Sequence, residues 1–138
     1  MIQHEATKGT KDTKNRGLVV SHEIIGVAIE VHRPLGPGLF ESAYEAALCQ
    51  ELWLRRIAFE RQVPIKVVYK GQLLAAAVRL DLVVERSVVV GIKAVEELSA
   101  VHRSQLLTYL KVSGYAVGLL INFKVRLLRR GMRRVLVG

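Results

Sequence analysis

The run Val88-Val89-Val90-Gly91-Ile92-Lys93-Ala94-Val95 constrains the fold more than any other part of the chain. It is rich in β-branched residues and apolar at both odd and even positions. A strand of that kind has no face to offer to water, so it belongs at the centre of a sheet covered on both sides. The covering layers must come from elsewhere in the sequence, and helical periodicity supplies them.

From Ser21, a residue able to cap a helix, Ile24, Val27, Ala28 and Val31 recur at helical spacing to about His32. Pro34-Leu35-Gly36-Pro37-Gly38 then interrupts the pattern, because proline and glycine both oppose continued helix. A second helix is expected from about Leu39 to Arg56, with Tyr44, Leu48 and Leu52 on one stripe. Val63 to Tyr69 reads as a strand, Lys70-Gly71 as a hairpin turn, and Leu74 to Val84 as the return strand. A turn at Arg86-Ser87 leads to the two-sided strand, Val88 to Val95. A third helix follows from about Ala100 to Val112, with Gly114 suited to cap its C-terminus. Ala116 to Phe123 is the next strand, and Arg134 to Val137 a short edge strand. The order αα-βββ-α-β-β, without internal repeats, predicts an α/β fold with a mixed β-sheet flanked by helices.

The 138 residues, 51% of them hydrophobic, suit one core, expected over residues 19–138. Residues 1–18 are polar and aperiodic and are expected to form a disordered basic leader. No apolar run approaches the ~18 residues of a membrane span, and the N-terminal segment lacks the apolar block of a secretory signal. The single cysteine, Cys49, excludes an internal disulfide and fits a reducing cytoplasm. In its helical setting Cys49 reads as a small buried hydrophobe. The 21 Lys and Arg against 12 Asp and Glu leave a formal charge of +9, which favours polyanionic partners, chiefly nucleic acid.

Several polar residues sit where the pattern predicts burial. Glu41, in the first turn of the second helix, extends the stripe of Tyr44 and Leu48, although a carboxylate there also complements the helix dipole. Asp81 lies inside a strand between Leu80 and Leu82, on the face shared with Arg79 and Val83. Its plain alternative is a solvent-side salt bridge. Lys93 in a covered strand demands an anion or a strand end near the surface. Gly91 lies two residues earlier and therefore on the same face. Gln105 and Tyr109 are four apart, on one helix face. Were these groups to converge, carboxylates plus a lysine would be the parts that hold Mg²⁺ and activate water against a phosphodiester.

These residues resemble a known family. Gly38-Leu39-Phe40-Glu41-Ser42-Ala43-Tyr44 is similar to the signature of the GxxExxY family, which is assigned to the PD-(D/E)XK nuclease superfamily. His32 to Gly38, Glu60 to Pro64, Arg79 to Leu82, Lys93 to Glu96, Gln105 to Leu110 and Gly118 to Phe123 resemble its other blocks, covering roughly residues 20 to 137. The resemblance implies a restriction-endonuclease-like sheet and a catalytic set of Glu41, Asp81, Lys93, Gln105 and Tyr109. In it Glu41 and Asp81 would bind Mg²⁺ or Mn²⁺, Lys93 would be the lysine of the (D/E)xK element, and Gln105 with Tyr109 would match a QxxxY helix motif. The departure is Gly91, where the family pattern has an acid. One metal ligand is lost there, so metal binding is expected to be weak or absent and hydrolysis impaired or lost.

Three readings follow. One is a nucleic-acid-binding protein, with DNA as the expected partner, that has lost much or all of its hydrolysis. Another is an active Mg²⁺-dependent nuclease with a substitute ligand. The last is a non-catalytic scaffold or dimerisation protein, and a homodimer is compatible with any of them. Arg126, Arg129, Arg130, Arg133 and Arg134 are the expected phosphate-binding rim, or else a solvated charged end. With three Phe, four Tyr and one Trp, an aromatic platform for stacking single strands is not expected.

Overall fold

A computed structural model describes residues 11–74 and 78–138. The first helix, α1, spans Lys11–Leu35. It begins ten residues before the expected cap at Ser21, inside the segment expected as leader. The reason lies in packing. Gly17, Val20, Ser21, Ile24, Val27, Ala28 and Val31 form one buried stripe, and its first member has no side chain to register as apolar in the sequence. A Cβ at Gly17 would lie 2.6 Å from Val117 Cγ2, so only glycine allows the helix to approach so closely. Ser21 is therefore mid-helix, its hydroxyl donating to Leu18 O at 2.8 Å. Residues 1–10 of the expected leader lie outside the described residues.

α1 runs through Pro34 and stops when Gly36, at φ +71°, donates its N–H to His32 O at 2.8 Å. The second helix, α2, spans Glu41–Leu54. Tyr44 fixes the loop between the two. Its hydroxyl donates to Gly36 O and accepts from Leu39 N, and its ring stacks on Phe123 with centroids 4.4 Å apart.

The strands are β1 Phe59–Ile65, β2 Val68–Tyr69, β3 Gln72–Leu73, β4 Val78–Val84, β5 Val88–Lys93, β6 Val117–Asn122 and β7 Met132–Leu136. The expected strand Val63 to Tyr69 is in fact two pieces. Only its first part joins the main sheet, whereas β2 and β3 form a separate ribbon about Lys70-Gly71. Both turn residues there have positive φ, the geometry that suits a two-residue hairpin. The turn into β5 sits one residue early, at Glu85-Arg86, again with both φ positive. β5 ends at Lys93, not Val95, because the buried Asn122 side chain takes over. Its Oδ1 accepts Val95 N at 3.0 Å and its Nδ2 donates to Val95 O at 2.8 Å.

The main sheet has the order β1-β4-β5-β6-β7 and is mixed. β5 and β6 are parallel, and the other neighbours are antiparallel. The third helix, α3, spans Ala100–Ser113 and connects the parallel pair, as such a crossover requires. It starts at Ser99, whose hydroxyl accepts from His102 N, and ends at Gly114 with φ +87°. α1 and α2 cover one face of the sheet, joining Ile24, Val27, Leu48 and Leu52 to Leu82, Val90 and Leu119. α3 covers the other, joining Leu106 and Leu110 to Val83, Val89 and Leu120. The expected two-sided burial therefore holds for β5 as far as Val90, and β6 is buried throughout. This is the mixed α/β, restriction-endonuclease-like arrangement. Cys49 is buried in the first of the two cores, and that burial pushes its thiol up. No helix among the described residues is long and apolar enough to cross a membrane.

Candidate functional site

Asp81 is the one residue of β4 that pairs with neither neighbouring strand. The register of β4 with β5 runs from Val84↔Val88 to Leu82↔Val90 and stops there. With β1 it includes Arg61↔Leu82 and Val63↔Leu80 but skips Asp81, opposite which Gln62 turns to φ +49°. Asp81 is thus released from the ladder, and its Oδ2 accepts the Ile92 N–H at 2.8 Å. Burial pushes the Asp81 carboxyl above its ordinary value. The Ile92 N–H and Lys93 pull it back, and the charges of Glu45 and Glu41 push further up.

The opening beside Asp81 is a cavity of about 180 Å³. Lys93 and Gly91, from β5, share it with two residues of α3, the exposed Gln105 and the half-buried Tyr109. The structure thus brings four of the five sequence-derived catalytic candidates, Asp81, Lys93, Gln105 and Tyr109, into one cavity, with Gly91 beside them. Val89, Leu106 and Leu120 supply apolar wall. A Cβ on Gly91 would lie 3.2 Å from Leu120 Cδ1, the end of a buried side chain, so the space next to Gly91 is narrow and Leu120 must give by a few tenths of an ångström to admit a side chain.

Glu41 is placed differently. Its Oε2 accepts the Ala94 N–H at 3.2 Å just past the end of β5, and it does not line the cavity. The first-turn position of Glu41 on α2, set by Tyr44 and the Gly36–Leu39 loop, is what brings it to that strand end.

Three residues escaped the sequence reading. Arg79 and His102 line the cavity. The signal for His102 was its spacing, three before Gln105 and seven before Tyr109. Glu45, one helical turn after Glu41, is 8% exposed and accepts from Arg61 at 3.1 Å and from Gln62 at 2.9 Å. A carboxylate in a buried stripe was legible there, but its partners on β1 were not. Among the described residues, no three His, Cys, Asp or Glu side chains gather as a metal cluster.

None of the five expected rim arginines lines the cavity. Arg126, Arg129 and Arg130 are exposed on a cleft with Ile29, His32 and Arg33, on the α1 side of the sheet. Arg134 donates to Ser21 Oγ at 2.8 Å, and Arg133 to the carbonyl oxygens of Arg130 and Met132.

A family model described as the PD-(D/E)XK nuclease superfamily matches residues 19–135. Nothing among the curated proteins or the solved structures matches the chain. The matched span takes in the main sheet up to the last residue of β7 and all the residues of the cavity. The chain belongs to the PD-(D/E)XK nuclease superfamily.

Proposed function

We propose that this chain is a nucleic-acid-binding member of its superfamily, of the GxxExxY kind, whose metal-dependent phosphodiester hydrolysis is impaired or lost. One observation carries the reading: Gly91 faces the same cavity as Asp81 and Lys93, where the family's (D/E)xK pattern calls for a carboxylate. Nucleases of this superfamily generally use divalent metal ions. The groups around this cavity do not fit one well. Asp81 is its sole carboxylate, with Oδ2 already engaged by Ile92, and Glu41 is turned to the Ala94 N–H outside it. Mg²⁺ normally keeps one or two protein carboxylates with waters and phosphate. Here the cavity lining offers one, Asp81, with Oδ1 alone unengaged, where the family pattern has two.

What remains suits recognition. Lys93 provides a positive charge for a phosphate, and Gln105 and Tyr109 provide neutral donors beside it. The exposed arginines 126, 129 and 130, with 133 and 134 nearby, offer further contacts to a sugar–phosphate backbone. Binding of this kind, to DNA as the expected partner, carries no base preference and weakens steeply as salt rises. For the alternative of an active nuclease, Glu45 is one acid whose charge reaches Asp81, but Arg61 and Gln62 each donate to one of its oxygens.

The test compares wild type with Gly91→Glu for DNA cleavage in Mg²⁺ and Mn²⁺. Cleavage by the variant alone is the expected result. Equal cleavage by both would show that another ligand serves, and flat salt titrations with no DNA binding would leave only the scaffold reading.

A further inference from the structure

We infer that the loss of the acid at position 91 has turned a cation site into an anion site: the cavity takes a phosphate group directly, without a divalent metal between them. The inference deepens the proposed nucleic-acid reading and rests on it for the source of the phosphate.

The argument is a balance of donors and charges. Arg79 and Lys93 bring two cations to a cavity with one carboxylate, Asp81, so the lining is net positive. Glu41 and Glu45 act on Asp81 through space but do not line the cavity, and Glu45 is ion-paired with Arg61 at 3.1 Å. Asp81 itself spends Oδ2 on Ile92.

The donors keep most of their capacity. Among the described residues the side chains of Lys93, Gln105 and Tyr109 make no hydrogen bond and no close ion pair, although the Lys93 charge acts on Asp81. Arg79 uses one N–H on Gln62 O at 3.3 Å and keeps the rest. His102 adds a further donor. Its Nδ1 accepts the Ser99 N–H at 3.0 Å, so in the neutral ring the proton is on Nε2. Cationic and neutral donors around one cavity, with a single acid among them, make a poor ligand set for Mg²⁺ and a good one for phosphate oxygens.

Inorganic phosphate is titrated into the isotope-labelled wild-type chain in excess EDTA. Resonances of Gly91, Gln105 and the His102 ring are expected to shift and saturate, and Mg²⁺ to leave the affinity unchanged. Lys93→Gln and Tyr109→Phe, which leave the packing of the fold intact, should each weaken phosphate binding by about tenfold. Gly91→Glu should weaken it by a similar factor in EDTA through added repulsion, and Mg²⁺ should restore it.

Unmoved cavity resonances, tighter wild-type binding in Mg²⁺, or undiminished binding by both the lysine and tyrosine variants would each overturn the inference. If an oligonucleotide binds while the cavity resonances stay still, the nucleic-acid reading survives and this inference fails. If phosphate binds in the cavity but no oligonucleotide does, the reading fails and the inference stands. Oligonucleotides with and without a 5′-phosphate separate the two sources. A preference for the phosphorylated one assigns the pocket to a strand end, and equal binding assigns it to a backbone diester; either supports the inference.

Discussion

Asp81 and Ile92 face each other across the gap between β4 and β5, and the aspartate Oδ2 accepts the isoleucine N–H at 2.8 Å. A side-chain carboxylate thus replaces a main-chain carbonyl in the sheet. Both neighbours of Asp81 have withdrawn from it, β1 through the turned backbone of Gln62 and β5 through the early end of the register at Val90. The cavity exists because the sheet parts at this residue.

The first prediction concerns the charge of Asp81. Burial raises its carboxyl above the ordinary value, so the folded chain holds the proton more tightly than the unfolded chain does. This contribution favours folding at low pH and fades as pH rises through the folded value. Asp81→Asn keeps an oxygen for the Ile92 N–H and removes the charge. Its melting temperature relative to wild type should therefore increase as pH rises from the ordinary carboxylate value through the raised folded value, and then level off. A difference that stays constant, or shrinks, over that window would refute the account.

Gly91→Ala tests whether glycine at 91 serves the fold. The added methyl meets only Leu120 Cδ1, at 3.2 Å, and loss of glycine's backbone freedom favours the variant by roughly 0.5–1 kcal/mol. The two effects nearly cancel, so stability by urea unfolding should stay within about 1 kcal/mol of wild type. A much larger loss would mean that Gly91 is there for packing.

Gly17→Ala gives the contrasting case. In an exposed helix the change would stabilise by about 0.8–1 kcal/mol. Here the new Cβ would sit 2.6 Å from Val117 Cγ2, and overpacking of that kind costs about 1–3 kcal/mol. Net destabilisation, measured by the same unfolding, is expected. A stabilised variant would show that α1 does not pack on β6 at this point.

Tyr44→Phe keeps the stack on Phe123 and removes the hydroxyl that joins Gly36 O to Leu39 N. The loss of both hydrogen bonds should cost about 1–3 kcal/mol. Amide exchange at Leu39 is the sharper readout and should accelerate, because that N–H loses its acceptor. Unchanged exchange would mean the loop stands without Tyr44.

Much of this was legible in one dimension. The two-sided apolar run around Val90, the helical stripe from Ile24 to Val31 and the glycine after α3 depend on local spacing, and local spacing is what a sequence records. The same holds for Asp81 and Lys93, each anomalous within its own strand, whereas Gln105 and Tyr109 are ordinary helix residues that only the family resemblance singled out.

Convergence, by contrast, belongs to the tertiary structure. Gly17 carries no apolar side chain, so only its contact with Val117 reveals that the first helix starts far earlier than its hydrophobic pattern. Glu45 gains its meaning from Arg61 and Gln62 on β1, and Glu41 leaves the cavity because the end of β5 offers it the Ala94 N–H. His102 enters the site because α3 crosses the sheet beside Asp81. Residue types and periodicity chose the elements; the split between β4 and β5, a relation between distant strands, decided which polar groups meet.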